Sequence, residues 1–280
     1  GWVQMVSSED KSNNIITEVL PPSSWSGLLG QIYTDVASPS LKKIGKALDT
    51  VFDFGYVHLA LPLQYKNDEK RLVLEQNFEM YREKMTKVKD EDVVEVLPEL
   101  GVPIIQRLTY TRNKELADLF TNLLVSASSK DKHAAAHPTF LRILESISVD
   151  EARILKYFST QTKIDFPCIM FTGVSKVTGV HSLTGRYTGI VKKVELDFPD
   201  NEHIYIDNLV ALGLLALGKG RIVEPGAYNE LEESYADVKS GIAEEISNDP
   251  YDRFANVATE YGYYERTNLA QEFLKICIVD

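Results

Sequence analysis

His133 and His137 stand four residues apart in the stretch KDKHAAAHPTF, Lys130 to Phe140. On a helix that interval points two imidazoles along one face, as the zinc-protease signature H-E-x-x-H requires to grip a metal. That chemistry also needs a glutamate base, and Ala134 occupies its place. Pro138 follows directly. A proline pushes the residue before it out of helical geometry and is itself favoured at the first helical position. His137 is therefore expected at a boundary, as a helix cap or a packed histidine, and His133 in a loop. Neither a metal site nor a catalytic residue is expected from this pair.

The other constellations are weaker. GVHSLTGRYTG has five residues between Gly179 and Gly185, and it has Arg186 where a phosphate loop wants lysine. It also lacks the strand-to-helix setting which that motif needs. There is no GxSxG and no acid-x-lysine cluster at useful spacing. The neighbouring acids Glu232 with Glu233, and Glu244 with Glu245, point apart on a helix and read as solvated faces. His181, Arg186, Lys192 and Lys193 are the one basic cluster, and hence the candidates for nucleic-acid contact. The net charge of −11 opposes that role. The excess of acids lies mostly in the second half, with 21 acids against 13 bases from Ser148 onward and 20 against 17 before it.

Cys168 and Cys277 lie far apart, match no metal or redox spacing, and sit in the apolar runs FPCIMF and LKICIV. They read as buried inert thiols of a reducing compartment. The first 25 residues carry no apolar signal segment, and the longest uncharged apolar run, NLVALGLLALG, is about half a membrane span. A cytoplasmic protein without stable membrane insertion is the expectation. The interrupted apolar stretch from Ile44 to Leu63 reads as a core helix pair, closed or kinked at Pro62.

Elements must now be found to hold these residues. Leu74, Phe78, Tyr81, Met85 and Val88 recur at heptad-like steps, which predicts a helix. Its seam packs on its own domain or, as a homo-oligomer contact, on a second copy. PELGVPIIQRL predicts a short helix. Leu116, Leu119, Phe120, Leu123 and Leu124 predict another, capped by Asn113. Pro138 opens a third, with Phe140, Ile143, Leu144 and Ile147 as its stripe. Ser148-Val-Asp-Glu151 is a capping box that opens a fourth. After Thr160 the chain turns β-rich. Strands are predicted in TKIDFPCIMFTGV and RYTGIVKKVELDF, a helix in EHIYIDNLVALG ended by Gly213, and a hairpin LLAL-GKG-RIVE turning on Gly218 to Gly220. Acidic helices follow, and then a closing strand and a helix capped by Thr267.

Three of these segments are similar to a known family. The run from Leu116 to Leu155 resembles the centre of the Abi-alpha (abortive infection alpha) family of bacterial proteins. The matching positions are Phe120, Leu123, Leu124, His137, Pro138, Phe140, Ser148, Asp150, Glu151, Ala152, Ile154 and Leu155. YIDNLVALGLL, with Asn208 and Gly213, resembles a second family motif, and RTNLAQEFLKICI a third in which Ala270 replaces glycine. The resemblance implies a part in phage defence by abortive infection and brings no catalytic residues with it.

The expected fold is mainly α with a smaller α+β part. A disordered lead-in covers 1–27, a helical domain 28–147, and a winged-helix-like α+β domain 148–280. The order helix, strand, helix, hairpin, helix is that of a winged helix-turn-helix. Its recognition position would be the helix from Glu202, whose acids Asp200, Glu202 and Asp207 repel duplex phosphates. The functional expectation is a non-enzymatic defence protein that works through protein partners, with no cofactor. Alternatives left open are a winged-helix DNA-binding regulator and an effector enzyme such as a nuclease whose acids only folding brings together.

Overall fold

The structure, a computed structural model, describes residues 39–55, 68–222 and 226–278. The lead-in over 1–27, Pro62, and the part of the Ile44–Leu63 stretch beyond Gly55 lie outside them. Contacts divide the chain into two units, Gly1–Leu141 and Arg142–Asp280.

Unit 1 is helical. It contains α1 (Pro39–Gly55), α2 (Asp68–Met85), α3 (Pro98–Leu108) and α4 (Lys114–Ala127). α5 (Pro138–Glu145) spans the point of division. Leu74, Phe78, Tyr81 and Met85 are buried and α2 packs along α4, so these four residues face the interior of this unit. Polar groups then fix the register of the pair. The Lys84 ammonium donates to the Asp118 carboxylate at 2.7 Å and to the Thr121 hydroxyl at 2.6 Å. Asn77 donates to the carbonyls of Leu108 and Thr111, both at 2.8 Å. The Tyr81 and Ser128 hydroxyls meet at 2.8 Å. α3 crosses α1 closely because Gly101 has no side chain. A Cβ there would lie 2.5 Å from a Val51 methyl. Asn113 caps α4 as expected, accepting the Leu116 N–H at 3.0 Å.

Unit 2 is α+β. In chain order it has α6 (Val149–Thr160), β1 (Asp165–Ser175), β2 (Gly179–Tyr187), α7 (Glu202–Ala211), β3 (Leu215–Lys219), α8 (Asn229–Ser234), α9 (Ala236–Ser247), β4 (Phe254–Arg266) and α10 (Asn268–Cys277). The strands form one sheet in the order β2-β1-β4-β3, with every neighbouring pair antiparallel. One side of the sheet carries the core of Ile169 and Phe171 with Tyr228, Leu231 and Tyr235 from the α8 region. Elsewhere Phe158 of α6 stacks on Phe166 at 4.9 Å, which lies 5.6 Å from the Tyr264 ring. Both cysteines are buried. Burial pushes the Cys168 thiol up to about 12, and the Cys277 thiol also rises.

Two strand expectations need correction. The strand expected over RYTGIVKKVELDF is instead β2, which ends at Tyr187. Gly189 stands at φ +72, a left-handed turn that stops an extended chain, and a 3-10 turn over Ile190–Lys192 follows. The hairpin expected on Gly218 to Gly220 does not form, since β3 pairs with β4 and the chain between them builds α8 and α9. Gly218 serves a different purpose there: a Cβ would sit 2.1 Å from the Tyr263 ring. Gly213 does end α7 as expected, at φ +75. The Leu214 N–H reaches the Leu209 carbonyl and the Gly213 N–H reaches the Val210 carbonyl, both at 2.9 Å. Among the described residues no helix is long and apolar enough to cross a membrane.

Candidate functional site

The histidines that opened the question do not converge. His133 lies in the turn after α4, its N–H bonded to the Ser129 carbonyl at 2.7 Å. His137 precedes α5, and its Nδ1 accepts the Thr139 N–H at 3.1 Å, which makes it the cap of a helix opened by Pro138. Phe140 buries its ring in the first turn behind it. Among the described residues no three His, Cys, Asp or Glu side chains are grouped so as to hold a metal.

The two acids expected to belong to a family motif meet in a buried joint within unit 2. Ser148 and Glu151 form the reciprocal capping box of α6. The Ser148 hydroxyl accepts the Glu151 N–H at 3.3 Å, and the Glu151 carboxylate accepts the Ser148 N–H at 2.6 Å. The other Glu151 oxygen accepts from the Asn208 amide of α7 at 2.6 Å, and the same amide donates to the Ser146 carbonyl at 2.9 Å. Asp150, next in the motif, is 2% exposed. It accepts the Asp197 N–H at 2.8 Å, the Phe198 N–H at 2.9 Å and the Tyr205 hydroxyl at 2.7 Å. The Arg153 guanidinium, 3.5 Å away, is shared with Asp197 at 2.8 Å.

This geometry sets the charge state of Asp150. Burial alone would raise the Asp150 carboxyl. The Asp197 N–H, Tyr205 hydroxyl, Phe198 N–H and Arg153 charge outweigh it and hold the group below its ordinary value. Such a carboxylate is a poor general base, because its lone pairs are already taken and its proton affinity is low. What it does well is hold. It ties the first turn of α6 to the loop at 197–198 and to α7. Asn208 adds a second tie, and Gly213 a third, its carbonyl accepting the Thr267 hydroxyl at 2.7 Å.

A residue that the sequence did not single out completes the frame. Arg266, at the end of β4, donates to the carbonyls of Phe158, Gln161 (2.8 Å) and Lys163, closing the C-terminal end of α6. Its burial lowers its proton affinity.

The basic residues are placed differently. Arg186 pairs across the sheet with Met170, and His181 with Gly173. Cross-strand partners share a face and successive residues of β1 alternate, so His181 and Arg186 lie on opposite faces. Arg186 faces Glu260 at 3.4 Å. The Nε2 of His181 meets the Thr178 hydroxyl at 2.7 Å. Lys192 places its ammonium 5.2 Å from the centre of the Tyr235 ring. Lys193 is an exposed residue just past the Ile190–Lys192 turn.

Comparison with known proteins gives one family and one structure. The sequence pattern of the family described as abortive infection alpha matches residues 73–277. The chain is also similar to a solved structure of an uncharacterized protein from the hydrocarbon-degrading marine bacterium Alcanivorax borkumensis SK2. Identity there is 20%, over 50% of this chain and 93% of that one, with a TM-score of 0.34. No protein of curated function matches.

Proposed function

The chain belongs to the abortive infection alpha family, and from that premise we propose that it acts in bacterial defence against phage, through contacts with protein partners and without catalysis. What supports the non-enzymatic part is the joint at Asp150, where Ser148, Asp150, Glu151 and Asn208 are engaged in capping, bridging and anchoring.

We further propose that α6, α7 and the β3–β4 pair act as a winged-helix-like platform with α7 as its presented helix. The exposed residues of α7 include His203, Ile204 and Asp207. An apolar residue beside an acid suits a protein surface and opposes a phosphate backbone. This favours a protein partner over DNA.

Expression of the gene in a host challenged with a broad phage panel tests the first reading. Reduced plaquing relative to cells without the gene is expected. Equal plaquing across the panel would overturn it. A double substitution, Ile204→Asp with His203→Asp, is expected to remove protection while leaving the fold intact. Loss of nucleic-acid binding by that variant, in place of loss of a captured protein, would favour the DNA reading.

A further inference from the structure

Arg266 is 7% exposed, and its guanidinium donates to the Phe158, Gln161 and Lys163 carbonyls. Those three bonds leave part of its five-donor fork unused. Carbonyls at a helix end carry only partial charge, so they offset the cation in part. Among the described residues no carboxylate pairs with it, and its Nε N–H has no partner. A buried charge without a counter-ion is costly unless something else supplies one.

Arg266 lines a cavity of about 260 Å³ at the place where β2 leaves the sheet. β2 pairs with β1 only from Ile169 onward, and the left-handed turn at Gly189 follows its end. The first residues of β1, Asp165 to Cys168, therefore pair with β4 and not with β2. Pro167 borders that gap and has no N–H to offer an added strand, so the opening suits a small molecule. One water takes about 30 Å³ of liquid, and the cavity has room for several. Its apolar wall includes Phe158 stacked on Phe166 at 4.9 Å. Its charged wall sets Arg266, Lys163 and Lys193 against Asp165 and Glu230. Of these five Arg266 is buried, whereas Lys163, Lys193 and Glu230 are exposed. Asp165 stands opposite Glu265 on β4, which places it on the other face of the sheet from Arg266. The buried end of the cavity is thus cationic, with aromatic rings beside it. That is the chemistry that holds an organic carboxylate.

We infer that this cavity binds a small organic carboxylate, with the Arg266 guanidinium as its buried counter-ion, Lys193 as a second cation at the mouth, and the Phe158 and Phe166 rings along its body. The inference stands on the cavity and not on the defence reading.

Calorimetric titration and thermal unfolding of the full chain test it, with benzoate and hexanoate as probes, inorganic phosphate as a second anion and benzamide as the neutral control. At least one carboxylate is expected to bind and to raise the unfolding midpoint, while benzamide does neither. Equal binding by benzamide would show an apolar pocket and overturn the inference. Phosphate binding with neither carboxylate bound would overturn it in favour of an inorganic anion. Lys193→Gln removes an exposed charge, so it is expected to fold as the parent does and to bind about tenfold more weakly. Arg266→Lys keeps the charge and loses the fork, and its binding is expected to be weaker still. Should it fail to fold, Lys193→Gln decides alone. Absence of binding by both carboxylates at millimolar concentration would overturn the inference. So would binding undiminished in Lys193→Gln.

Discussion

Asp150 and Tyr235 are both buried in the same unit, yet the carboxylate of one gathers four polar partners and the ring of the other is held by stacking and a nearby ammonium. The Asp150 carboxylate draws two backbone N–H groups, a phenol and a guanidinium to itself. Tyr235 is held instead by its ring, which stacks on Tyr187 with centroids 4.4 Å apart and lies 5.2 Å from the Lys192 ammonium. A polar group whose partners are all internal fixes the elements that supply them, and a stacked ring fixes its neighbours far less firmly.

Substitutions sharpen this contrast, and the largest effect belongs at Asp150. Asp150→Ala leaves two backbone N–H groups, the Tyr205 hydroxyl and Arg153 without their acceptor. A loss of about 4 kcal/mol in urea unfolding of unit 2 is expected. The same variant reads the pH dependence. A carboxylate held below its ordinary value of 3.8 stabilises the fold above that value, and the contribution is lost as pH falls through the lower folded value. The gap between parent and Asp150→Ala should therefore be constant near neutrality and shrink below about pH 4. A gap that widens in acid would break the assignment.

Glu151→Ala removes both the reciprocal half of the capping box and the acceptor of Asn208, for an expected loss of about 2 kcal/mol. Glu151→Gln keeps the size and one acceptor and should lose about half of that. His137→Ala removes only an exposed cap, with an expected cost of about 1 kcal/mol. Added zinc should leave both the parent and this variant at their own midpoints. Smallest of all is Tyr235→Phe, which keeps the stacked ring and is expected within about 1 kcal/mol of the parent. A loss as large as that of Asp150→Ala would collapse the contrast.

How much of this could be read beforehand follows the distance between partners. The cap by Asn113, the box from Ser148 to Glu151, the Gly213 terminator and the Thr267 cap all rest on partners within five residues. Each was legible as a local pattern. The boundary at Pro138 was legible for the same reason, and it correctly separated the two histidines. Other features depend on residues that only folding brings near. Arg266 reaches carbonyls about a hundred positions earlier, and Glu202 grips Thr188 across a turn. The β3 partner lies beyond two inserted helices, so a nearby glycine pair suggested a hairpin that the chain does not make. β2 is a polar edge strand whose residues alternate weakly, and the apolar run after it drew the expected strand too far along. Tyr235 carried no signal at all, since a tyrosine in an acidic helical stretch says nothing of the ring it will stack on.

The central claim is that Asp150 and Glu151 hold the fold. Urea unfolding of Asp150→Ala, read on unit 2 at neutral pH, tests it most directly. The account predicts a midpoint shift corresponding to about 4 kcal/mol. A variant as stable as the parent, with phage protection lost, would contradict it and place Asp150 in a working site.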